Sequence, residues 1–269
     1  MARWKVPSSF PDNRLSLPMN KTIAVVLAAG KGTRMQSDLP KVLIEVCGRP
    51  MIDYVLDALN AAGVDEVLVV VGYRGDLVRQ ALASRPRVRF VEQTEQLGTG
   101  HAVMACREAL AGQDGAVLIV TGDSPLAQSD SLRTLLAEFE RARPACLMGT
   151  THKDDPHGLG RIVRDPQGRF ERIVEEKDAD ESQRRITEVN MSCYVFAGPD
   201  LLFALDHIRP NNSQAEYYLT DCPGVLKAAG RTVSAMPVLK PIEALSINTR
   251  EELAAVEGVL RAGGRPADN

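Results

Sequence analysis

Three continuous apolar runs, each stopping at a loop of small or charged residues, constrain this chain more than any other feature. They are residues 22–28 (TIAVVLA), 66–71 (EVLVVV) and 116–120 (AVLIV). A strand that is apolar at nearly every position is buried on both faces, the habit of parallel sheets covered by helices. Between the runs, apolar residues fall at helical spacing over 51–62, closed by Gly63 as a C-cap, and over 76–83 and 100–111. A short strand at 88–91, a helix at 131–143 and a strand at 145–150 extend the alternation. Right-handed βαβ units follow, and with them a Rossmann-like, doubly wound α/β fold with a mostly parallel sheet.

The second half changes character. Residues 161–164 and 170–174 flank Pro166-Gln167-Gly168 as a β-hairpin, and 189–196 and 232–238 read as strands. Helices are expected at 199–205, 216–229 and 250–261. No repeat or linker divides the chain. The expectation is a flexible N-terminal extension over 1–20, then one domain over 21–269 with a small β-rich subregion.

Charge and composition exclude several classes. Lys+Arg 32 against Asp+Glu 35 leaves a formal charge of -3, so no dominant basic surface for nucleic acid is expected. No apolar run reaches the roughly 18–20 residues that a membrane span needs, and the first twenty residues lack a signal-peptide core. Five cysteines, at 47, 106, 146, 193 and 222, include no close pair and no CxxC. They read as reduced and core-filling, in keeping with a cytoplasmic protein. No feature sets an oligomeric state.

In open α/β sheets, ligands gather at the carboxyl ends of the strands. The loop after the first run, 27–41 (LAAGKGTRMQSDLPK), has small residues that let backbone N–H groups approach an anion, and Lys31, Arg34 and Lys41 add positive charge. It matches neither GxxxxGK[ST] nor GxGxxG. On this loop alone, a tight βα turn with solvated lysines stands equal to a phosphate cradle.

Further loops add specificity. LAAGKGTRM with SDLPK, QTEQLGTGHA at 93–102, GDSPL at 122–126, GLGRI at 158–162, IVEEKDA at 173–179, EVN at 188–190, QAEYYLTD at 214–221 and INTR at 247–250 occur in this order. The series resembles the sugar-phosphate nucleotidylyltransferases. Within them it is most similar to the N-acetylglucosamine-1-phosphate uridylyltransferases of UDP-N-acetylglucosamine synthesis. In bacteria that activity forms one half of a bifunctional enzyme. The other half, a left-handed β-helix acetyltransferase, has no counterpart in the sequence, so no left-handed β-helix domain is expected.

The resemblance implies transfer of a uridylyl group from UTP to N-acetylglucosamine 1-phosphate, with release of pyrophosphate. Leu27, Ala28, Ala29 and Gly30 would receive the uracil and ribose side, Gln93 would read the base edge, and Gly98 and Thr99 would help select uracil. Arg34 and Lys41 would meet the phosphates as the catalytic cations. Asp123 and Asn248 would hold Mg²⁺, a hard cation suited to oxygen ligands. Gly160, Glu175 and Asn190 would take the sugar. A phosphomonoester is mostly dianionic at neutral pH, its second pKa being about 6, so no strong general base is needed.

Each residue also has a purely structural reading. Asp123 in Gly-Asp-Ser-Pro is a turn former, Asn248 precedes a helix that Thr249 can cap, and Glu175 opens a charge run of the solvated kind. His101 reads as packing or capping, and Tyr217 and Tyr218 as packing. The family carries Tyr where this chain has Thr121 and Leu159, and Gly where it has Ser192, Ala215 and Ser246. These departures gather around the sugar, where another hexose or hexosamine 1-phosphate is the alternative substrate. A non-catalytic, regulatory sugar-nucleotide-binding relative is the second alternative.

Overall fold

The computed structural model describes residues 21–263 apart from Thr33, Arg34, Gln36, Ser213, Ser246 and Asn248. Arg34, Asn248 and the expected extension over 1–20 therefore lie outside the described residues. In chain order, β1 (Ile23–Ala28) leads through a 3-10 turn (Lys41–Leu43) to a small hairpin of β2 (Glu45–Val46) and β3 (Arg49–Pro50). Then come α1 (Met51–Ala61), β4 (Glu66–Val71), α2 (Gly75–Ala81), β5 (Val88–Glu92) and α3 (Thr99–Met104). β6 (Ala116–Thr121), α4 (Ser129–Ala142) and β7 (Cys146–His152) complete the βαβ half. The rest is β8 (Arg161–Arg164), β9 (Phe170–Val174), α5 (Glu181–Arg184), β10 (Glu188–Ala197), α6 (Gly198–His207), α7 (Cys222–Ala228), β11 (Val233–Met236) and α8 (Arg250–Arg261).

Among the described residues, nine strands form one sheet in the order β11-β7-β10-β6-β1-β4-β5, with the β8–β9 hairpin attached through β10. β1 pairs in parallel with β4 on one edge and β6 on the other, while β10 runs antiparallel between β6 and β7. The chain winds outward from β1 to β4 and β5, then returns to β6 on the opposite side. The switch in direction falls between β1 and β6, so the loops after these two strands frame a crevice.

The apolar runs have the expected cause. Ala24, Val26 and Ala28 face a core shared with Ile52, Val55 and Leu59 of α1 and Leu132 and Leu135 of α4. Ile23 and Val25 face the other side, packed with Val103 of α3 and Leu201 and Leu205 of α6. A third cluster joins Met35, Val46, Met51, Leu126 and Ile247 with Val256 and Leu260 of α8. It draws the first loop, the loop after β6 and the approach to α8 to one place. Thr249 caps α8: its Oγ1 accepts from the Glu252 N–H at 3.2 Å, and Glu252 Oε2 accepts from the Thr249 N–H at 3.0 Å. Among the described residues no helix is long and apolar enough to cross a membrane.

Two expected helices come out differently. The segment 100–111 is helical only to Met104, after which three-residue turns take over, with the Cys106 N–H donating to Val103 and that of Arg107 to Met104. The segment 216–229 is α-helical only from Cys222, after a 3-10 turn over Leu219–Asp221. Pro223 lacks an N–H and so belongs in a first helical turn. Upstream, Tyr217 is held extended: its N–H donates to the Leu97 carbonyl and its carbonyl accepts from the Gly100 N–H, both at 2.8 Å.

Ser192 and Ala215, which stand where the family has glycine, both adopt left-handed backbone, at φ 51° and 52°. Ser192 sits in the bulge where the β10–β7 register shifts between Asn190 and Cys193. A side chain in this region costs about 1–2 kcal/mol, against the roughly 0.5–1 kcal/mol of extra chain entropy that glycine loses on folding. Ala215→Gly should therefore stabilise the protein by about 0.5–1 kcal/mol, read as a higher urea midpoint at unchanged slope. An unchanged or lower midpoint would contradict the strain assigned to this turn.

Candidate active site

Two carbonyls, one at the end of β1 and one just after it, are held by protein donors. Leu27 accepts from the Gly122 N–H at 2.9 Å, and Ala29 from the Tyr73 N–H at 3.1 Å and from Gln96 Nε2 at 3.0 Å. These bonds fix the backbone of the loop at the mouth of the crevice. Gly30 is exposed, and Lys31 rests over the Tyr73 ring at 5.1 Å. Gln93, 5% exposed, follows β5 and donates from Nε2 to the Gly98 carbonyl at 3.1 Å.

Gly98 stands at φ 105°, and a Cβ there would lie 2.6 Å from the Tyr217 carbonyl oxygen. Only glycine allows this approach. Thr99 Oγ1 accepts from the Leu219 N–H at 3.1 Å, so this side chain also fastens the 217–219 segment onto α3.

Lys41 and Asp123 meet directly, Nζ to Oδ2 at 2.5 Å, joining the start of the 3-10 turn to the loop after β6. The contact is half-buried. Gly32 makes room for it, since a Cβ there would lie 2.7 Å from Lys41 Cβ. One cation and one carboxylate are thus concentrated at the β1–β6 crevice. Among the described residues, no group of three or more His, Cys, Asp or Glu side chains stands ready to cage a metal ion.

Gly160, Glu175 and Asn190 come from three different strand ends and converge. A Cβ on Gly160 would lie 3.4 Å from Glu175 Oε2 and 3.5 Å from Asn190 Cβ, and the Gly160 carbonyl accepts from the Asn190 N–H at 2.8 Å. Asn190 Nδ2 donates to the hydroxyl of the fully buried Tyr194 at 2.8 Å, and Asn190 Oδ1 accepts from the Ser192 N–H at 3.3 Å. Behind them Arg161, 1% exposed, ties the loop together: Nη2 donates to Glu176 at 2.7 Å, and Nη1 donates to the Leu159 carbonyl. Its Nε has no protein partner.

A cavity of about 290 Å³ joins the two sides, with Leu27 and Thr99 on one wall and Glu175, Ser192, Tyr194 and Tyr218 on the other. The charge run at 175–178 is therefore not uniformly solvated, because Glu175 turns into this cavity. Sequence reasoning overlooked Tyr194, whose position in an apolar strand marks it as core. It also overlooked Gln96, whose bond to Ala29 spans a loop-to-loop distance that no spacing rule encodes.

Burial pushes the Glu175 carboxyl above its ordinary value; the Thr220 hydroxyl opposes the shift, and the nearby Asp178 and Asp221 charges add to it. Burial, then the Asp178 charge, likewise raises Asp221. Removing a like charge favours the ionised form. Asp178→Asn should therefore move both titrations to lower pH, as followed by carboxyl ¹³C NMR. Midpoints left where they are in the parent protein would contradict this electrostatic picture.

Residues 24–193 match the family model of the MobA-like NTP transferase domain. The Bifunctional protein GlmU of Pelotomaculum thermopropionicum is 44% identical over 238 residues, 88% of this chain and 52% of that protein. The GlmU of Heliobacterium modesticaldum is 47% identical over 243 residues, 90% and 53% of the two chains. The chain thus spans about half the length of these curated relatives. Among solved structures, a UDP-glucose pyrophosphorylase complexed with UDP-glucose superposes with a TM-score of 0.72 at 15% identity, covering 91% of this chain and 99% of that one. This likeness is one of fold, a Rossmann-like sheet with helices on both faces. With the family model matched across its βαβ half, the chain belongs to the MobA-like NTP transferase domain family.

Proposed function

We propose that this domain makes a UDP-sugar and pyrophosphate from UTP and a sugar 1-phosphate, with N-acetylglucosamine 1-phosphate as the sugar substrate. One observation carries the reading: Leu27 and Thr99, assigned to the nucleotide, line the same cavity as Glu175, assigned to the sugar. Kinship with the GlmU proteins supports it, as does the ordered series of motifs. In this reading residues 21–269 act as one catalytic unit in the cytoplasm. All five cysteines are free thiols, in keeping with that setting.

A phosphate oxygen of the sugar substrate attacks the α-phosphorus of UTP, the P–O bond to pyrophosphate breaks, and pyrophosphate leaves with the electron pair. The nucleophile is already an anion, so the task is to bring anions together and to neutralise the leaving group. Lys41, with Arg34 as its proposed partner, meets the phosphates. Leu27, Ala28, Ala29, Gly30, Gly98 and Thr99 seat the nucleoside. Gln93 Oε1 accepts the N3–H of uracil. Gly160, Glu175 and Asn190 receive the sugar hydroxyls and the N-acetyl group.

Asp123 as a lone carboxylate, with Asn248 as a second oxygen donor, suits a divalent cation that completes its shell with water and substrate phosphate. A divalent cation accords with the family's chemistry, and we assign it as Mg²⁺. When bound it supplies positive charge to the phosphates.

Ser192, Thr121 and Leu159 favour a second reading of the sugar, another hexose or hexosamine 1-phosphate, because the Ser192 side chain enters the cavity wall. Pyrophosphate release with UTP should be strong for one member of a panel of N-acetylglucosamine, glucose, galactose and glucosamine 1-phosphates. Silence across the panel, with UTP still bound, would point to the regulatory alternative. Lys41→Ala should lower turnover by about 10²–10³-fold, the loss typical of removing one charge-stabilising group, with little change in melting temperature. Turnover within a few-fold of the parent would remove Lys41 from the phosphate-binding set. Asp123→Asn should abolish Mg²⁺-dependent turnover in a folded protein, and activity close to the parent's would overturn the metal assignment.

A further inference from the structure

We infer that His101 is a positioning residue for base selection: its unprotonated Nδ1 fixes the Gln93 amide so that Oε1 is the group left to meet the nucleobase. The inference rests on the reading of a uridine nucleotide substrate and adds a cause for the choice of base. Gln93 is almost fully buried and is anchored through its N–H to the Val71 carbonyl at 2.8 Å. Its Nε2 has two hydrogens. One goes to the Gly98 carbonyl at 3.1 Å, and the other lies 3.2 Å from His101 Nδ1.

A backbone carbonyl only accepts, so the Gly98 contact sets which end of the amide is nitrogen. Nδ1 of His101 must then accept as well, which requires the neutral imidazole carrying its proton on Nε2. With both hydrogens spent, the amide offers a ligand only Oε1. An acceptor there complements the N3–H of uracil and opposes the N3 lone pair of cytosine. Without His101, Nε2 is held by the Gly98 carbonyl alone, and a flipped amide that presents an N–H to the ligand, a donor that cytosine can use, becomes accessible. The ring is placed by the first turn of α3 (Thr99–Met104), and its centroid lies 6.3 Å from that of Tyr217.

The test compares the ratio of kcat/KM for UTP over CTP in the parent and three variants. Asn presents Oδ1 near where Nδ1 stands, whereas Gln places its oxygen near Nε2 and Leu offers none. His101→Asn should keep the parent ratio, and His101→Gln and His101→Leu should lower it by about tenfold or more, the scale of one specific hydrogen bond. Retention of the ratio in His101→Leu, or equal loss in His101→Asn and His101→Leu, overturns the inference. A parent enzyme indifferent to the base overturns the uridine reading and this inference with it. Long-range ¹H–¹⁵N NMR of the unsubstituted protein needs no variant to fold. It should show His101 with Nδ1 unprotonated and Nε2 protonated at neutral pH, and the opposite tautomer overturns the proposal.

Discussion

β1 is committed on every side. Its edges pair with β4 and β6, and its faces enter two separate cores, until Ala28 ends the strand. From that rigid point the Leu27 and Ala29 carbonyls are taken up by Gly122, Tyr73 and Gln96. The site depends on this constraint, because a loop pinned at Leu27 and Ala29 can meet a ligand without reorganising. The crevice lies beside β1 for the same reason: there the winding of the sheet leaves two parallel strand ends adjacent with their loops diverging.

Charge completes what the sheet positions. Lys41 and Asp123 neutralise each other in a half-buried contact. In the proposed reaction, incoming phosphates would offer Lys41 a better-charged partner and would free Asp123 for a cation, so the two residues would change roles together. On the sugar side, Glu175 is held among acidic neighbours at a carboxyl-raising site. Hydroxyls that donate to it would offset the burial that now disfavours its charge. The buried Arg161 keeps this wall in place through Glu176 and the Leu159 carbonyl.

Much of this was legible in the sequence. Double-sided burial writes itself as unbroken apolar runs, so β1, β4 and β6 were predicted to within a residue. Gly160, Glu175 and Asn190 could be grouped by motif before any distance was known. Other features depend on contacts between distant segments. The 216–229 helix is interrupted because Tyr217 pairs with Leu97 and Gly100, partners more than a hundred residues away, and helical periodicity carries no trace of them. Ser192 and Ala215 differ from the family's glycines in sequence, yet their backbone keeps the left-handed conformation that glycine serves. His101 read as packing because its partner, Gln93, lies across a turn from α3 and exerts its effect through an amide orientation.

The central claim is that one cavity holds both substrates, so that the uridylyl group moves in a single displacement. UTP made chiral at a sulfur-substituted α-phosphorus tests this directly, through the configuration of the UDP-sugar formed. A single in-line attack predicts inversion at phosphorus. Retention would require two displacements and a covalent uridylyl-enzyme, and would contradict the account.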